Sequence, residues 1–525
     1  MTDAPLSLLL AYTDGSLPGL APGAVDPGTD RAQSLPDRLD SENDPVDDLA
    51  RQRYCVVVPE GDRGRRLRDL ASPLVALRTA EQRAPVETYT VPPRMSLAEA
   101  HQWHARLRAS FAHPRDVPRY FLLLGDLDEV PHSVQQALAL ADRCPGRLCL
   151  DRDDDLAAHA ARIAAHAPTT TPSASLHAAT TDDTTERARA RLLVPMLEQL
   201  REAHDLGELR VATLTELHTL TPQPPGTILL TVSHGHGGDR IHGFATPEQR
   251  RRDQGALVQR GGDLLRGADL PPALVPHGFW FMFACYSAGT PETSVYAPWL
   301  RDLRGGALGP LADAITRALP RPGERPFIAA LPKAALADPA GPLACFGHVD
   351  VTWEYSYQHD GRVASSRPGK FTRILEDACA GHRAGALARS LARAAADAAL
   401  HLAAATGEPA SDRLRNLWLL HHDLAAFILL GDPAVRLTTP PAERTVSPTT
   451  ISPPSPPSIL PSNLLALARK LGTRRLEEAL ARARVSEPAR KVASSLGLTI
   501  EDFRALESAY QAAARTALGL PDPKP

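Results

Sequence analysis

Four short, uninterrupted apolar runs constrain the fold of this 525-residue chain more than any other feature. The runs are residues 54–58, Tyr120–Leu124, Thr227–Val232 and residues 279–284. Strands that are apolar on both faces are typical of the centre of a sheet that helices cover on both sides. A helical pattern over Leu97–Ala109 separates the first two runs, and this order indicates a parallel sheet with crossover helices. The sequence therefore predicts an α/β fold.

The distribution of proline, serine and apolar residues predicts several segments. Residues 1–50 are rich in Pro, Asp and Gly and are predicted to form a flexible N-terminal arm, followed by a main domain over 51–437. Within that domain, residues 168–186 carry little that could be buried, which predicts a flexible surface insertion. A Pro/Ser/Thr-rich linker over 438–461 precedes a small all-α module over 462–520, an expected interaction module.

Composition argues against several classes of partner and setting. A net charge of -3 and a pI of about 6.7 provide no global basic field for nucleic acid or an anionic membrane. No apolar stretch approaches the roughly 18 residues of a membrane span, and the N-terminus lacks the basic start of a secretory signal. Six cysteines without regular spacing do not indicate a disulfide framework. A cytoplasmic location is therefore expected.

Two of the apolar runs end in a reactive side chain. Thr227–Val232 leads into Ser233-His234-Gly235, and the run 279–284 leads into Cys285. Sites assemble at the carboxyl ends of parallel strands, so His234 and Cys285 are predicted to meet there. A cysteine thiolate can attack a carbonyl carbon while a histidine handles the proton. The N–H groups of Gly235 and Cys285 could form an oxyanion hole, worth roughly 3–4 kcal/mol per donor.

The motif SHGHGG, followed by FACYSAG, resembles the His-Gly and Ala-Cys motifs of the caspase-like cysteine peptidases of clan CD. Within that group, FILLGDPAVRL and YFLLLGDLDEVP resemble two segments of the gingipain-type peptidases, so the resemblance spans about residues 54–437. It implies a caspase-like parallel-sheet sandwich with helices on both faces. It also implies that His234 is the general base and Cys285 the nucleophile, with no cofactor and with protein substrates.

The helical module at the C-terminus resembles the arrangement of intracellular bacterial caspase homologues in immunity or cell-death systems. Such modules recruit partners, so the resemblance implies a protein activator bound through residues 462–520 and a role in defence.

The resemblance also suggests how substrates are selected. In the gingipain pattern an aromatic residue downstream of the cysteine lines the S1 pocket, and Trp353 is the matching candidate. An acidic residue upstream of the histidine holds a basic P1 side chain. The acidic candidates are Asp153, Asp154 and Asp155, with Asp350 and Glu354 as alternatives. Either set favours Arg or Lys at P1 through a charge-assisted contact.

A peptidase with this specificity needs latency, and an open loop is a natural place for an activating cut. Arg187, Arg189 and Arg191 directly follow the insertion 168–186 and are three potential P1 residues. The sequence therefore predicts a zymogen that is processed near these arginines.

Three rival interpretations remain open. His234, His236, Asp239 and His242 resemble a metal cluster, although their spacing departs from the metallo-β-lactamase pattern and leaves Cys285 without a role. A serine hydrolase using Ser287 is weaker, since a nucleophile elbow needs glycine where Cys285 stands. The third rival is an inactive caspase-fold scaffold that acts through its C-terminal helices.

Overall fold

The computed structural model describes residues 46–112, 116–205, 207–217, 219–304, 309–359, 362–366, 368–405 and 411–439, and before residue 46 only the backbone of three short strands. The chain divides into two units, Met1–Ala442 and Glu443–Pro525. The second unit lies outside the described residues. The module over 462–520, and all but the first two residues of the linker 438–461, therefore stay predictions. Within the described ranges, no helix has the length and apolarity needed to cross a bilayer.

The structure contains the following strands and helices. The strands are β1 (Leu6–Ser7), β2 (Leu10–Ala11), β3 (Gly19–Leu20), β4 (Tyr54–Pro59), β5 (Glu87–Val91), β6 (Tyr120–Leu124), β7 (Cys144–Leu148), β8 (Ser173–Ala178), β9 (Ala212–Glu216), β10 (Thr227–Val232), β11 (Gly235–His236), β12 (Leu257–Val258), β13 (Leu264–Leu265), β14 (Phe279–Phe283), β15 (Gly289–Thr290), β16 (Phe327–Ile328), β17 (Ala344–His348), β18 (Gln358–His359), β19 (Arg362–Ser366) and β20 (Phe427–Gly431). The helices are α1 (Leu49–Gln52), α2 (Asp62–Leu70), α3 (Ser72–Gln82), α4 (Leu97–Ala109), α5 (His132–Leu140), α6 (Asp153–Ala165), α7 (Asp183–Ala188), α8 (Val194–Asp205), α9 (Pro247–Asp253), α10 (Ala297–Leu303), α11 (Gly309–Ala318), α12 (Ala330–Ala337), α13 (Gly369–Cys379), α14 (Ala384–Leu387), α15 (Arg389–Ala404) and α16 (Asp412–Ala425).

Ten strands form the central sheet, in the order β5-β4-β6-β7-β20-β17-β14-β10-β8-β9. The strands β5, β4, β6 and β7 pair in parallel, and so do β17, β14, β10, β8 and β9. Between the two groups, β20 runs antiparallel to β17 and lies beside β7, with Leu430 opposite Arg147. The predicted α/β fold with a large, mostly parallel sheet is confirmed.

Helices cover both faces of this sheet, as the apolar runs predicted. Successive residues of a strand point to opposite faces. Val56 and Leu122 belong to the core that also contains the buried leucines of α2 and α3. Their neighbours Cys55 and Phe121 belong to a second core, built with α4 and α5. Each strand is therefore buried on both sides, which explains why its sequence is uninterrupted by polar residues.

The prediction of a flexible surface insertion over 168–186 is wrong for the described structure. Ser173–Ala178 is strand β8, which is buried and hydrogen-bonded between β10 and β9. Its polar side chains have internal partners: Ser173 Oγ lies 2.7 Å from Thr227 Oγ1, and Ser175 Oγ lies 2.8 Å from His177 Nε2. A strand built from alanine, serine and histidine can be buried when its hydroxyl groups are paired, and such a strand lacks the apolar signature.

Most of the predicted N-terminal arm over 1–50 lies outside the described residues, so its flexibility stays a prediction. Leu10–Ala11 pairs in parallel with Gly235–His236, the residues next to His234. Near the end of the arm, the Asp47 carboxylate accepts a hydrogen bond of 2.8 Å from Arg383 N and forms an ion pair with His382. These contacts join Leu10–Ala11 and Asp47 to the main domain.

Candidate active site

Adjacent strands deliver His234 and Cys285 to the same edge of the sheet. In the parallel pair β10–β14, Val232 lies opposite Phe283, and each reactive residue follows two positions later. Both side chains are buried. The structure thus brings together the two residues that the sequence assigned to the dyad.

The backbones of the two segments are in direct contact at Gly235. A Cβ atom built on Gly235 would lie 1.8 Å from the carbonyl oxygen of Cys285 and 3.0 Å from its nitrogen. Only glycine therefore fits after the histidine. This approach places the backbone of Gly235 beside that of Cys285, while the oxyanion hole itself stays a prediction.

An aspartate that the sequence did not single out fixes the imidazole of His234. His234 Nε2 lies 3.0 Å from Asp182 Oδ1, and the same oxygen accepts a 3.0 Å bond from Thr185 N. Burial raises the pKa of Asp182, but the bonds from His234 and Thr185 outweigh it and lower the pKa overall. The ionised carboxylate can only accept, so Nε2 carries the proton. Asp182 is the N-cap of α7, and its capping pattern with Thr185 is the sequence signal that could have located it.

This arrangement leaves Nδ1 as the proton-accepting atom of His234. Nδ1 is buried and has no hydrogen-bond partner among the described residues. A neutral imidazole with its proton on Nε2 has a lone pair on Nδ1, which is the state that a general base needs. The imidazole and the Cys285 thiol are not hydrogen-bonded to each other in the described structure.

The Cys285 thiol is instead covered by the chain that follows β17. Thr352 N donates to Cys285 Sγ at 3.2 Å, and the thiol donates to Thr352 O at 3.6 Å. Cys285 has 0% of its surface exposed. Burial raises the pKa of the thiol well above its usual value, although the N–H of Thr352 opposes this shift. The site is therefore closed over the thiol, and burial favours the protonated form. We call residues 350–356 the covering segment.

Asp350, an S1 candidate, begins the covering segment. Its carbonyl oxygen accepts a 2.8 Å bond from Tyr286 N. Its side chain lines a cavity of about 630 Å³, which Tyr296 and Arg325 also line but the dyad does not. Burial raises the pKa of Asp350 to about 6, even though hydrogen bonds from Ser294 and from the backbone oppose the shift.

Trp353, the aromatic S1 candidate, lies inside an aromatic cluster and does not line an open pocket. Its ring centroid is 5.7 Å from that of Tyr296 and 5.7 Å from that of Trp299. Trp418 extends the cluster at 5.7 Å from Tyr296. These contacts bury Trp353 completely in the closed site.

Glu354, the third candidate in the covering segment, already holds an arginine. Its carboxylate lies 3.1 Å from Arg187 Nε and accepts a 3.4 Å bond from Tyr357 OH. Its side chain is buried. Arg187 is on α7, five residues after Asp182, so this one short helix contacts both the imidazole of His234 and the carboxylate of Glu354.

The acidic run Asp153, Asp154 and Asp155 is not brought to the dyad. It lies on the first turn of α6, after β7, and two strands separate β7 from β14. Asp153 forms ion pairs with Arg63, at 2.9 Å, and with Arg66. These contacts tie α6 to α2, and hydrogen bonds from the two arginines lower the pKa of Asp153.

The three proposed processing residues lie in helical backbone. Arg187 is on α7, while Arg189 and Arg191 belong to a π-helical turn, Arg189–Leu193, that joins α7 to α8. Arg189 also lies 3.3 Å from Glu186. A protease binds extended chain, so this helix would have to unwind before a cut. The prediction of an activating cut assumed an open loop, but the structure has helix at these three arginines.

The residues named in the rival interpretations make other contacts in the structure. The described part of the chain contains no group of three or more His, Cys, Asp or Glu side chains arranged to hold a metal ion. Asp239 accepts bonds from the N–H groups of Ile241 and His242, and His236 packs edge-on against Phe244 at 5.5 Å. Ser287 Oγ donates to Met282 O at 3.0 Å.

No protein-family model matches the sequence, and no curated protein matches it. Among solved structures, the chain is similar to the Arg specific cysteine proteinase gingipain R (RgpB), with 12% identity, a TM-score of 0.41, and coverage of 75% of this chain and 80% of that chain. A structure described only as a protease has 12% identity, a TM-score of 0.42 and coverage of 73% and 78%. The complex of the Porphyromonas gingivalis RgpB pro- and mature domains has 11% identity, a TM-score of 0.38 and coverage of 73% and 79%.

Proposed function

We propose that this chain is a cysteine endopeptidase that cleaves protein substrates with His234 and Cys285. The observation that carries the proposal is the hydrogen bond from His234 Nε2 to Asp182, which leaves a buried Nδ1 as base beside the segment that bears Cys285. Nucleophile, base and orienting group are the parts that covalent acyl transfer requires.

The proposed reaction begins when Nδ1 of His234 takes the proton from Cys285 Sγ. The thiolate attacks the carbonyl carbon of the scissile bond, and the N–H groups of Gly235 and Cys285 stabilise the oxyanion. The imidazolium then donates its proton to the leaving amine as the C–N bond breaks. Water, deprotonated by His234, hydrolyses the thioester and restores the thiol. Asp182 stabilises the imidazolium in both half-reactions.

The closed site must open before this reaction can occur. A fully buried thiol with a raised pKa is a poor nucleophile, because the thiolate is the reactive form. Moving Thr352 away from Sγ would expose the thiol to substrate and to His234. We therefore propose that the described structure is the latent form of the enzyme.

A basic P1 residue is the specificity that the charges favour. Glu354 is buried and binds the guanidinium of Arg187, so its carboxylate already selects the chemical group that a P1 arginine would present. Asp182 is a second carboxylate upstream of His234, and unlike Asp153 it contacts the imidazole of His234. We propose that Glu354 contributes to P1 recognition once the covering segment moves.

An inactive scaffold is the second candidate function, and the complete burial of Cys285 favours it. We also propose a protein partner bound by the C-terminal helices and a role in defence or cell death. Residues 462–520, which suggest both, lie outside the described part of the chain. The cytoplasmic location is likewise a proposal.

A positional-scanning peptide library tests the proposed function. Purified full-length protein should cleave peptides after Arg or Lys, and the Cys285→Ala variant should not. Activity should be lost with iodoacetamide and survive a chelator, whereas the reverse pattern would support the metallohydrolase interpretation. Protein that cleaves no peptide, even after its covering segment has been opened by substitution, would support the scaffold.

A further inference from the structure

His348, which ends β17, is completely buried between the hydrogen-bond acceptors of two residues, Asp350 and Asp423. Its Nδ1 lies 3.0 Å from the carbonyl oxygen of Asp350, and its Nε2 lies 3.0 Å from the carbonyl oxygen and 3.1 Å from the carboxylate of Asp423. A carbonyl oxygen can only accept, so both ring nitrogens must donate. His348 is therefore an imidazolium.

Asp423, on α16, is the matching anion. Its carboxylate accepts from Trp353 N at 3.1 and 3.2 Å, from the hydroxyl of Ser356, and from His348. Each of these partners is a donor, which is the environment of an ionised carboxylate. The ion pair is completely buried on both sides.

The ion pair holds the covering segment at three points: His348 binds the carbonyl of Asp350, and Asp423 binds Trp353 N and the hydroxyl of Ser356. Between these anchors lies Thr352, whose N–H contacts Cys285 Sγ. The pair therefore fixes both ends of the short stretch that closes the site.

The segment after Cys285 is attached to the same strand end. His348 N donates to Ser287 Oγ at 3.0 Å, and Ala288 N donates to the carbonyl of His348 at 3.0 Å. The loop that carries the thiol and the segment that covers it thus share His348 as a common support.

The titratable groups around His348 come from α5, from α16 and from the chain directly after β17. His132 of α5 faces it, as do Asp350 and Asp423, and the Phe427 ring packs edge-on at 4.8 Å. Burial lowers the pKa of His348, but the hydrogen bond and charge of Asp423 outweigh burial and raise the pKa overall. The ion pair is therefore lost as pH rises through this raised pKa.

We propose that His348 and Asp423 are positioning residues whose ion pair latches the covering segment over the Cys285 thiol, so that breaking the pair opens the site. The inference rests on the proposed function, because covering Cys285 controls activity only if Cys285 is the nucleophile. Removing one partner of a buried ion pair leaves an uncompensated charge, which favours the open arrangement. The accessibility of the Cys285 thiol therefore depends on whether Asp423 of α16 is paired with His348.

The rate of iodoacetamide modification of each cysteine in the folded full-length protein, followed by mass spectrometry, tests the latch without any need for peptidase activity. We expect His348→Gln and Asp423→Asn to raise the rate at Cys285 about tenfold or more, because local opening limits modification of a buried thiol. His421→Gln is the matched control. His421 is buried on α16, as Asp423 is, but its Nδ1 bonds to Ala395 O at 2.9 Å. Its Cys285 rate should match that of the wild type.

The buried thiols of Cys55 and Cys345 report global unfolding in the same sample. A rise at all three cysteines together, or no rise at Cys285, would overturn the proposal. Ser356→Ala, which removes one bond to Asp423, provides a milder variant if the others fold poorly, and its Cys285 rate should also rise selectively. If Ser356→Ala leaves the Cys285 rate unchanged, or raises all three thiols together, this too would overturn the proposal.

The pH profile separates a latch from a merely structural role. In the wild type, the Cys285 rate should show a step as pH rises through the pKa of His348, in addition to the steady increase from thiol ionisation. His348→Gln should lack that step. A wild-type pH profile that shows only the increase from thiol ionisation would contradict the proposal. Peptide cleavage by the wild type tests the proposed function separately.

Discussion

Gly235 and Cys285 touch through their backbones, with the space for a Gly235 Cβ atom occupied by the Cys285 carbonyl oxygen at 1.8 Å. A substitution that adds a single carbon must therefore push the two reactive segments apart. The same contact couples the position of the base to that of the nucleophile.

Gly235→Ala should reduce peptide cleavage by about 10²-fold or more, because a displacement of about 1 Å in a catalytic group has that effect. Gly369→Ala is the control, since no atom lies within 4 Å of a Cβ built there. Activity and thermal unfolding of both variants provide the measurement. A Gly235→Ala enzyme with wild-type activity would show that the two segments do not act together.

Substitution of His234 or Cys285 should reduce activity far more than substitution of His236, the second histidine of the motif. Cys285→Ala and His234→Ala should each lower kcat by at least about 10⁴-fold, as with other nucleophile–base pairs. His236→Ala should retain substantial activity, since His236 packs against Phe244 and does not contact Asp182. Steady-state kinetics on one peptide compare all three. If His236→Ala is the inactive variant, the base has been assigned to the wrong imidazole.

Asp182→Asn should lower kcat about 10²–10³-fold with little change in KM, because an amide neither fixes the Nε2 proton nor stabilises the imidazolium. Asp183→Asn, at the exposed next position of the same helix, should behave like the wild type. Equal activities of the two variants would remove Asp182 from the mechanism.

Acid titration gives a second test of Asp182. A carboxylate with a lowered folded pKa contributes stability above its unfolded pKa of about 3.9 and loses that contribution as pH falls further. Asp182→Asn should therefore lower the melting temperature at pH 7, and its difference from the wild type should shrink below about pH 4. A difference that stays constant with pH would indicate that ionisation of Asp182 does not stabilise the fold.

Glu354→Gln should reduce kcat/KM for P1 Arg or Lys peptides about 10-fold or more, the value of a charge-assisted hydrogen bond. Glu216→Gln is the control, because Glu216 pairs with Arg189 at 3.8 Å much as Glu354 pairs with Arg187. Library profiles of the two variants provide the comparison. A wild-type profile dominated by P1 Asp would contradict the basic specificity altogether.

The parts of the site that were predictable from sequence are those that follow strongly apolar strands. His234 and Cys285 could be located because β10 and β14 are mostly apolar, a pattern that indicates central strands of a sheet. Asp182 was missed because β8, the strand that leads to it, is built from Ser, Ala and His, and its paired hydroxyl groups hide it from hydrophobicity patterns.

The covering segment could not be inferred for a different reason. Its position depends on contacts between residues far apart in sequence, such as the bonds from Trp353 and Ser356 to Asp423. Local patterns do not encode such pairs. Trp353, Asp350 and Glu354 were chosen as candidates from their sequence positions, but only the tertiary structure shows that one is buried in a cluster, one lines a cavity and one binds Arg187.

The aromatic cluster around Trp353 gives the protein a built-in optical reporter. Three of its five tryptophans, Trp299, Trp353 and Trp418, lie in or beside this cluster, and Trp353 is itself part of the covering segment. Indole emission shifts to longer wavelength when the ring meets water. Opening of the site should therefore be visible as a red shift in intrinsic fluorescence, in unlabelled protein and in real time, before any bond in a substrate is broken.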